Sequence, residues 1–398
     1  MILTLTNFFV GFLNYLFNSL SAKLLGPKGY GEITTIFSYM IVLSVPISVF
    51  TTDIIRRLGE KGEAKIDAWV SWRNWFWGKI NKYKWLIIPY FLLTFLFSRF
   101  TNLSTFSSFI VIEGLFISLI SVFYTAAFQG LHLFLLLSIF SITATIIKLS
   151  GPILVYFRID GLNTILTCLI LAGVIPFIAG DILFRKRFQA KKTNYQIKKT
   201  ASQIIFNPVF FITLLSLVSI GLLNNFDVMF VKKFFPQDTV GLYGAWSLLA
   251  KIILYVCGSL TAITYIFFSD KQEDKNHKKI LFLTIIAIIF TGAILYGSYY
   301  YYSRTIVFLF FNDKYLSIVS LLPKAAIFGI FFTIISIINS FFLAKKSRLA
   351  LIVTIFIPFY ALGLLTFGKT INAIIDINLI FSGVITVAYL IGAYKFNS

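Results

Sequence analysis

Acidic residues are scarce: 15 Asp and Glu stand against 35 Lys and Arg among 398 residues, and charged residues of both signs make up only 13%. A soluble domain carries about a quarter, so a water-soluble enzyme and a disordered chain are excluded. Cysteine is almost absent. Cys168 and Cys257 lie singly in apolar runs with no CxxC spacing, which excludes a disulfide scaffold and leaves both as small buried side chains. The two histidines, His132 and His277, are far apart and lack metal-type neighbours, so no metal or cofactor is expected. The net charge of +20 would point to nucleic acid in a soluble protein, but no nucleic-acid partner is expected here.

What is abundant is apolar surface: 58% hydrophobic residues, with 46 Phe and 20 Tyr, and a mean hydropathy of +0.88. Runs of about 20 apolar residues, enough to cross a hydrocarbon core of ~30 Å, recur over 2–24, 30–52, 84–100, 104–126, 133–156, 161–183, 207–231, 240–268, 280–303, 317–344, 347–367 and 371–394. The expected fold is therefore an all-α, polytopic membrane protein with twelve spanning helices. The run at the start has no basic leader and no cleavage-type ending, so it reads as the first span rather than a signal peptide. Residues 304–316 are expected to dip into the interface.

Of the 35 Lys and Arg, 23 fall between spans on one side and 9 on the other. Basic residues stay cytoplasmic, so both termini are expected inside, in the plasma membrane of a prokaryote. The basic charge is then mostly a topology signal. Residues 65–82 are no span. Trp69, Trp72, Phe76 and Ile80 share one helical face, with Asp67, Ser71, Asn74 and Asn81 opposite. That pattern predicts a helix in the cytoplasmic headgroup plane, anchored in lipid by its tryptophans. The turns at Leu24–Gly31 (LLGPKGYG) and Phe234–Gly244 (FFPQDTVGLYG) both place Pro and then Tyr-Gly before an even-numbered span. Two six-helix bundles are expected, at 1–190 and 207–398, joined by a basic linker at 191–206.

Catalysis has little support, since no outer loop exceeds about a dozen residues, and the chain is not expected to be an enzyme. Gly363–Thr370 (GLLTFGKT) matches a phosphate-loop pattern, but that loop needs a strand before it and a helix after it. The match bridges two spans on the outer side and is set aside, as is the glycosylation-type triplet at Asn102. Ionisable groups inside spans are the sharper signal, because each is costly in hydrocarbon unless it faces a cavity or a partner. They are Glu113, Lys148, Asp227, Lys251 and Lys324. Depth matching pairs Glu113 with Lys148, and helix order brings Asp227 near Lys251. Arg56 and Arg57 close the inner end of the second span. A wet cavity with spare positive charge suits an anionic headgroup such as a pyrophosphate, and the acidic members would serve as charge partners or in ion coupling.

Several segments together resemble a known family. Asn225–Lys233 (NFDVMFVKK) followed by Val240–Lys251 (VGLYGAWSLLAK) resembles the seventh and eighth helices of Wzx-type polysaccharide flippases, in the multidrug/oligosaccharidyl-lipid/polysaccharide exporter superfamily. Leu25–Gly31 (LGPKGYG), Arg57–Glu60 (RLGE), Phe128–Gly130 (FQG), and Lys314-Tyr315 with Leu321–Pro323 fit the same pattern. The resemblance runs from the first helix beyond the tenth. It implies a two-lobed transporter of twelve to fourteen helices that alternates access. Its substrate would be an undecaprenyl-pyrophosphate-linked oligosaccharide, moved to the outer leaflet for surface polysaccharides such as O-antigen. Membrane lipids, and glycosyltransferases and a polymerase of the same pathway, are the implied partners. Asp227 and Lys251 match charged positions typical of the family; Arg56, Arg57, Lys148 and Lys324 are nominated from the residues alone. The first helix lacks the carboxylate of many drug-exporting relatives, and two helices typical of lipid II flippases are missing. A small-molecule exporter of the same fold is the alternative.

Overall fold

A computed structural model describes residues 2–59, 65–188, 208–257, 268 and 277–396. Among these residues all regular structure is helical: α1 (Ile2–Gly59), α2 (Lys65–Lys82), α3 (Ile87–Thr101), α4 (Thr105–Gly130), α5 (Phe134–Tyr156), α6 (Leu162–Phe188), α7 (Pro208–Phe234), α8 (Gln237–Ala250), α9 (Ile252–Val256), α10 (His277–Tyr301), α11 (Ser303–Phe310), α12 (Leu322–Ala344), α13 (Ile352–Phe367) and α14 (Ile371–Lys395). The chain is an all-α polytopic membrane protein. Ten helical segments are long and apolar enough to cross a membrane.

One of those ten runs over 47 residues, Leu5–Thr51, about 70 Å of helix at 1.5 Å per residue and more than two hydrocarbon cores. It is interrupted at Gly26, whose φ of 66° and ψ of −177° are not helical. Only glycine adopts that backbone cheaply, and Pro27 follows it. The break falls between the first two apolar runs. α3, at 15 residues, is shorter than a typical span. The turns use local capping chemistry: Ser104 Oγ accepts from Ser107 N at 3.0 Å ahead of α4, and Thr370 Oγ1 accepts from Ala373 N at 3.2 Å ahead of α14.

Two compact units result: Met1–Leu24 with Tyr39–Phe210, and Leu25–Ser38 with Phe211–Ser398. A division in strict chain order does not separate Leu25–Ser38, which packs with the second half of the chain. In the first unit α5 pairs closely with α6, while α4 lies against α3 and α6. Here α2 departs from the expected lipid anchor. Trp69 is buried with Ile54, Val70, Val122, Tyr124 and Phe128, and Phe76 packs against the same cluster. The predicted face exists, but its Trp69 faces protein; the side chain of Trp72 lies outside the described residues.

In the second unit α12 is the central helix, packed by α8, α9, α10 and α14. The motif segments of the sequence meet here. Tyr30, fully buried, lies against the rings of Phe311 and Tyr315 at 6.1 and 6.4 Å. Gly31 and Gly241 approach so closely that a Cβ on Gly31 would stand 2.8 Å from Gly241 N, and one on Gly241 would overlap the Pro27 carbonyl. Glu32 and Lys232 form a buried ion pair at 2.5 Å. Residues 304–316, expected at the interface, form α11 and the start of a 3-10 segment at Asp313–Leu321. Phe308 and Leu309 are exposed while Phe311 and Tyr315 are buried, so only part of the segment turns outward.

Candidate functional site

Charged side chains inside apolar helices define the site, and the second unit holds the densest group. Asp227 on α7 is 1% exposed. Its carboxylate accepts from Tyr243 Oη on α8, from Asn378 Nδ2 on α14 at 2.8 Å and from Val228 N at 2.8 Å. Asn378 Oδ1 in turn accepts from Tyr360 Oη on α13 at 2.6 Å. Three helices thus meet on one carboxylate, with a fourth joined through Asn378, and its lone pairs are well supplied, as a buried polar group requires.

Lys251 stands at a discontinuity, between the end of α8 at Ala250 and the start of α9 at Ile252. The sequence offers no Pro or Gly at this break. The carbonyls it frees are satisfied within the turn and from α10: Lys251 N donates to Leu248 O at 3.2 Å, and Tyr299 Oη donates to Leu249 O at 2.9 Å. An interrupted helix inside an apolar run needs such replacement bonds for its backbone groups. Lys251 Nζ donates to Asn225 Oδ1 at 3.2 Å and makes no ion-pair contact with Asp227. The expected Asp227–Lys251 pair therefore does not close: the two side chains sit on neighbouring helices with separate hydrogen-bond partners.

The other expected pair does not form. Lys148 on α5 donates to Asn14 Oδ1 at 2.8 Å and lies 4.3 Å from the centre of the Phe17 ring, both on α1. Asn14 Nδ2 is occupied by the Val10 carbonyl at 2.9 Å, which leaves its oxygen for the lysine. Glu113 Oε2 on α4 is buried with no hydrogen-bond partner among the described residues. Depth matching says nothing of helix rotation, and it is rotation that turns Lys148 toward α1. Lys324 on α12 pairs with Asp376 on α14 at 2.5 Å, with side chains 38% and 49% exposed. Arg56 and Arg57 lie in the last turn of α1; their side chains fall outside the described residues.

Three carboxylates inside apolar runs escaped the sequence reading: Glu32, Asp181 and Asp376. With 15 acids in the whole chain, each position in a span carried a signal. Asp181 on α6 accepts from Tyr124 Oη and from Arg73 on α2, and Arg73 Nε donates to Tyr124 Oη at 3.1 Å. Burial lowers the guanidinium pKa, and the bonds to Tyr124 and Asp181 more than offset it, so the net shift is upward. The phosphate-loop match dissolves: Gly363 lies inside α13 and Thr370 caps α14, with no strand before it. Cys168 and Cys257 are both buried and in no disulfide. No group of three metal-ligating side chains occurs among the described residues.

No family model and no curated protein matches this sequence. Solved structures do match, along nearly the whole chain. A structure described as the lipid II flippase MurJ in an inward closed conformation superposes with a TM-score of 0.76 at 16% identity, covering 99% of this chain and 88% of that one. An inward-facing multidrug resistance MATE family transporter of the MOP superfamily gives a TM-score of 0.71 at 14% identity, over 96% and 94% of the two chains. The chain has the MOP fold. The eukaryotic MATE transporter AtDTX14 shares it with a TM-score of 0.62 at 12% identity, over 99% and 96%. At these identities the likeness concerns the MOP fold and carries no residue-level correspondence. Within the MOP fold the motif segments at Tyr30-Gly31, Gly241–Gly244 and Lys314-Tyr315 act as packing elements of the second unit, and Asp227 and Lys251 as its polar centre.

Proposed function

We propose that the chain is a flippase for a lipid-linked oligosaccharide, undecaprenyl-pyrophosphate-linked, which it moves from the cytoplasmic to the outer leaflet by alternating access. The observation that carries this reading is Lys251, a buried cation at a helix discontinuity inside a span, in a fold shared with a lipid flippase. Broken helices at membrane depth gather polar ligands, and a lysine there suits a phosphate as a point charge. Arg56 and Arg57 would receive the headgroup at the inner end, and Lys148, Lys251 and Lys324 would contact it in turn. Glu113 and Asp227 would balance that charge or couple an ion. The polyprenyl tail would stay in the bilayer, since withdrawing it costs about 0.8 kcal/mol per CH₂.

On this reading both termini are cytoplasmic, which the distribution of Lys and Arg supports. Counting the two halves of α1 separately and admitting α3 gives twelve spans. Cysteine labelling at positions 275 and 346 against 237 and 369 tests the orientation: reaction of the first two from outside would overturn it. The function is tested in a depletion strain, where lipid-linked oligosaccharide units should accumulate on the inner leaflet and surface polysaccharide should stall. The second reading, a small-molecule exporter, draws on the MATE neighbours. Increased drug sensitivity with no accumulation of lipid-linked units would favour it and overturn the flippase.

A further inference from the structure

The buried side of α2 is clamped to protein by Trp69 and by the Arg73–Asp181 pair. Its outward side and the turn after it form a second, unclamped surface. Lys79, Lys82, Tyr83, Lys84 and Trp85 are all exposed there, Trp85 to 63%, and no Asp or Glu occurs from residue 68 to residue 112. α3 follows directly and exposes Ile88, Leu92 and Phe95. Between α3 and α4 runs an open groove of about 710 Å³ lined by Ile87, Phe91, Phe95, Phe106 and Phe109. Thr94 also lines it; it is 4% exposed, and its Oγ1 has no hydrogen-bond partner among the described residues. A basic and aromatic cluster therefore leads straight into an apolar groove.

We propose that this surface binds an anionic phospholipid of the surrounding bilayer, with its phosphate on Lys82 and Lys84 and one acyl chain in the α3–α4 groove. The charge complementarity is one-sided, since no carboxylate competes for the lysines within this stretch. Tryptophan and lysine together fix the interfacial depth, and each lysine near an anionic surface adds about fivefold to the preference. The clamp holds the cluster in a fixed position on the protein. The site is independent of the intramembrane cations and of the transport reading.

The chain carries its own reporters, because five of its six tryptophans lie at positions 69–85. The full-length protein is reconstituted in phosphatidylcholine nanodiscs containing a minor fraction of brominated phosphatidylglycerol or, in parallel, brominated phosphatidylcholine. The expected result is stronger quenching by the phosphatidylglycerol form. The excess should vanish in K82Q/K84Q, persist in K82R/K84R and shrink in W85F. Equal quenching by the two lipids, or an excess unchanged in K82Q/K84Q, would overturn the proposal. So would an excess displaced by polyprenyl phosphate but not by unbrominated phosphatidylglycerol, which would make the site one for a different lipid.

Discussion

Lys148 donates to Asn14 Oδ1 at 2.8 Å, while the Oε2 of Glu113, its expected partner, has no hydrogen-bond partner among the described residues. The two residues therefore separate in experiment. Glu113→Gln should change stability by less than about 1 kcal/mol, because no charge pair is broken, and a loss of transport at that unchanged stability would mark the carboxyl as a coupling group. Lys148→Met should keep the fold and lower transport, with Lys148→Arg retaining part of it. Thermal unfolding in detergent and the level of lipid-linked oligosaccharide in cells are the two readouts. Equal loss in Glu113→Gln and Lys148→Met would mean that the two residues act together after all.

Asp227, Tyr243 and Asn378 form one hydrogen-bonded unit, so their substitutions should not add. Tyr243→Phe should cost about 1.5–3 kcal/mol, the usual worth of a hydrogen bond to a charged group. Combined with Asn378→Leu, the double variant should depart from the sum of the singles by at least about 0.5 kcal/mol. Additive unfolding free energies would show that the contacts are independent.

The close approach at Gly241 predicts intolerance of even one methyl group. Gly241→Ala drives its Cβ into the Pro27 carbonyl, whereas an added Cβ at Gly297 meets nothing within 4 Å. Gly241→Ala should lower stability by at least about 1–3 kcal/mol, as overpacking does. Gly297→Ala, in the interior of α10, should be neutral or stabilising by up to about 1 kcal/mol. Melting temperatures of the two purified variants make the comparison directly.

Removing Arg73 takes the cationic partner from a half-buried Asp181 and leaves it the bond from Tyr124. Arg73→Ala should destabilise by about 3–5 kcal/mol, and a second substitution, Asp181→Leu, should recover part of that loss. Limited proteolysis near residues 60–64 gives an independent readout, since α2 should detach in the single variant and be retained in the double. A single variant as resistant as the parent would show that Trp69 alone holds the helix.

The long apolar helices were legible because about 20 consecutive apolar residues admit few other readings. The pairings were not, because a pair depends on rotation and helix order as well as depth. Asp376 meets Lys324 only because α14 lies beside α12, and that adjacency is written nowhere in the local sequence. The break at Lys251 lacks a breaker residue and is maintained by Tyr299, 48 positions downstream, which satisfies a freed carbonyl. Trp69 shows the same limit for faces: periodicity found the face of α2, and only packing decided that protein rather than lipid covers it.

The placement of Leu25–Ser38 in the second unit also sets a timetable. Glu32 is synthesised 200 residues before Lys232, and a ribosome adding about 5–20 residues per second takes roughly 10–40 s to close that interval. For that time the carboxylate of Glu32 and the ring of Tyr30 lack the residues that finally enclose them. A nascent chain at this stage holds an unfinished helix pair with a charge in or near the bilayer, so whatever assists its insertion must shelter that segment until the second unit has been made.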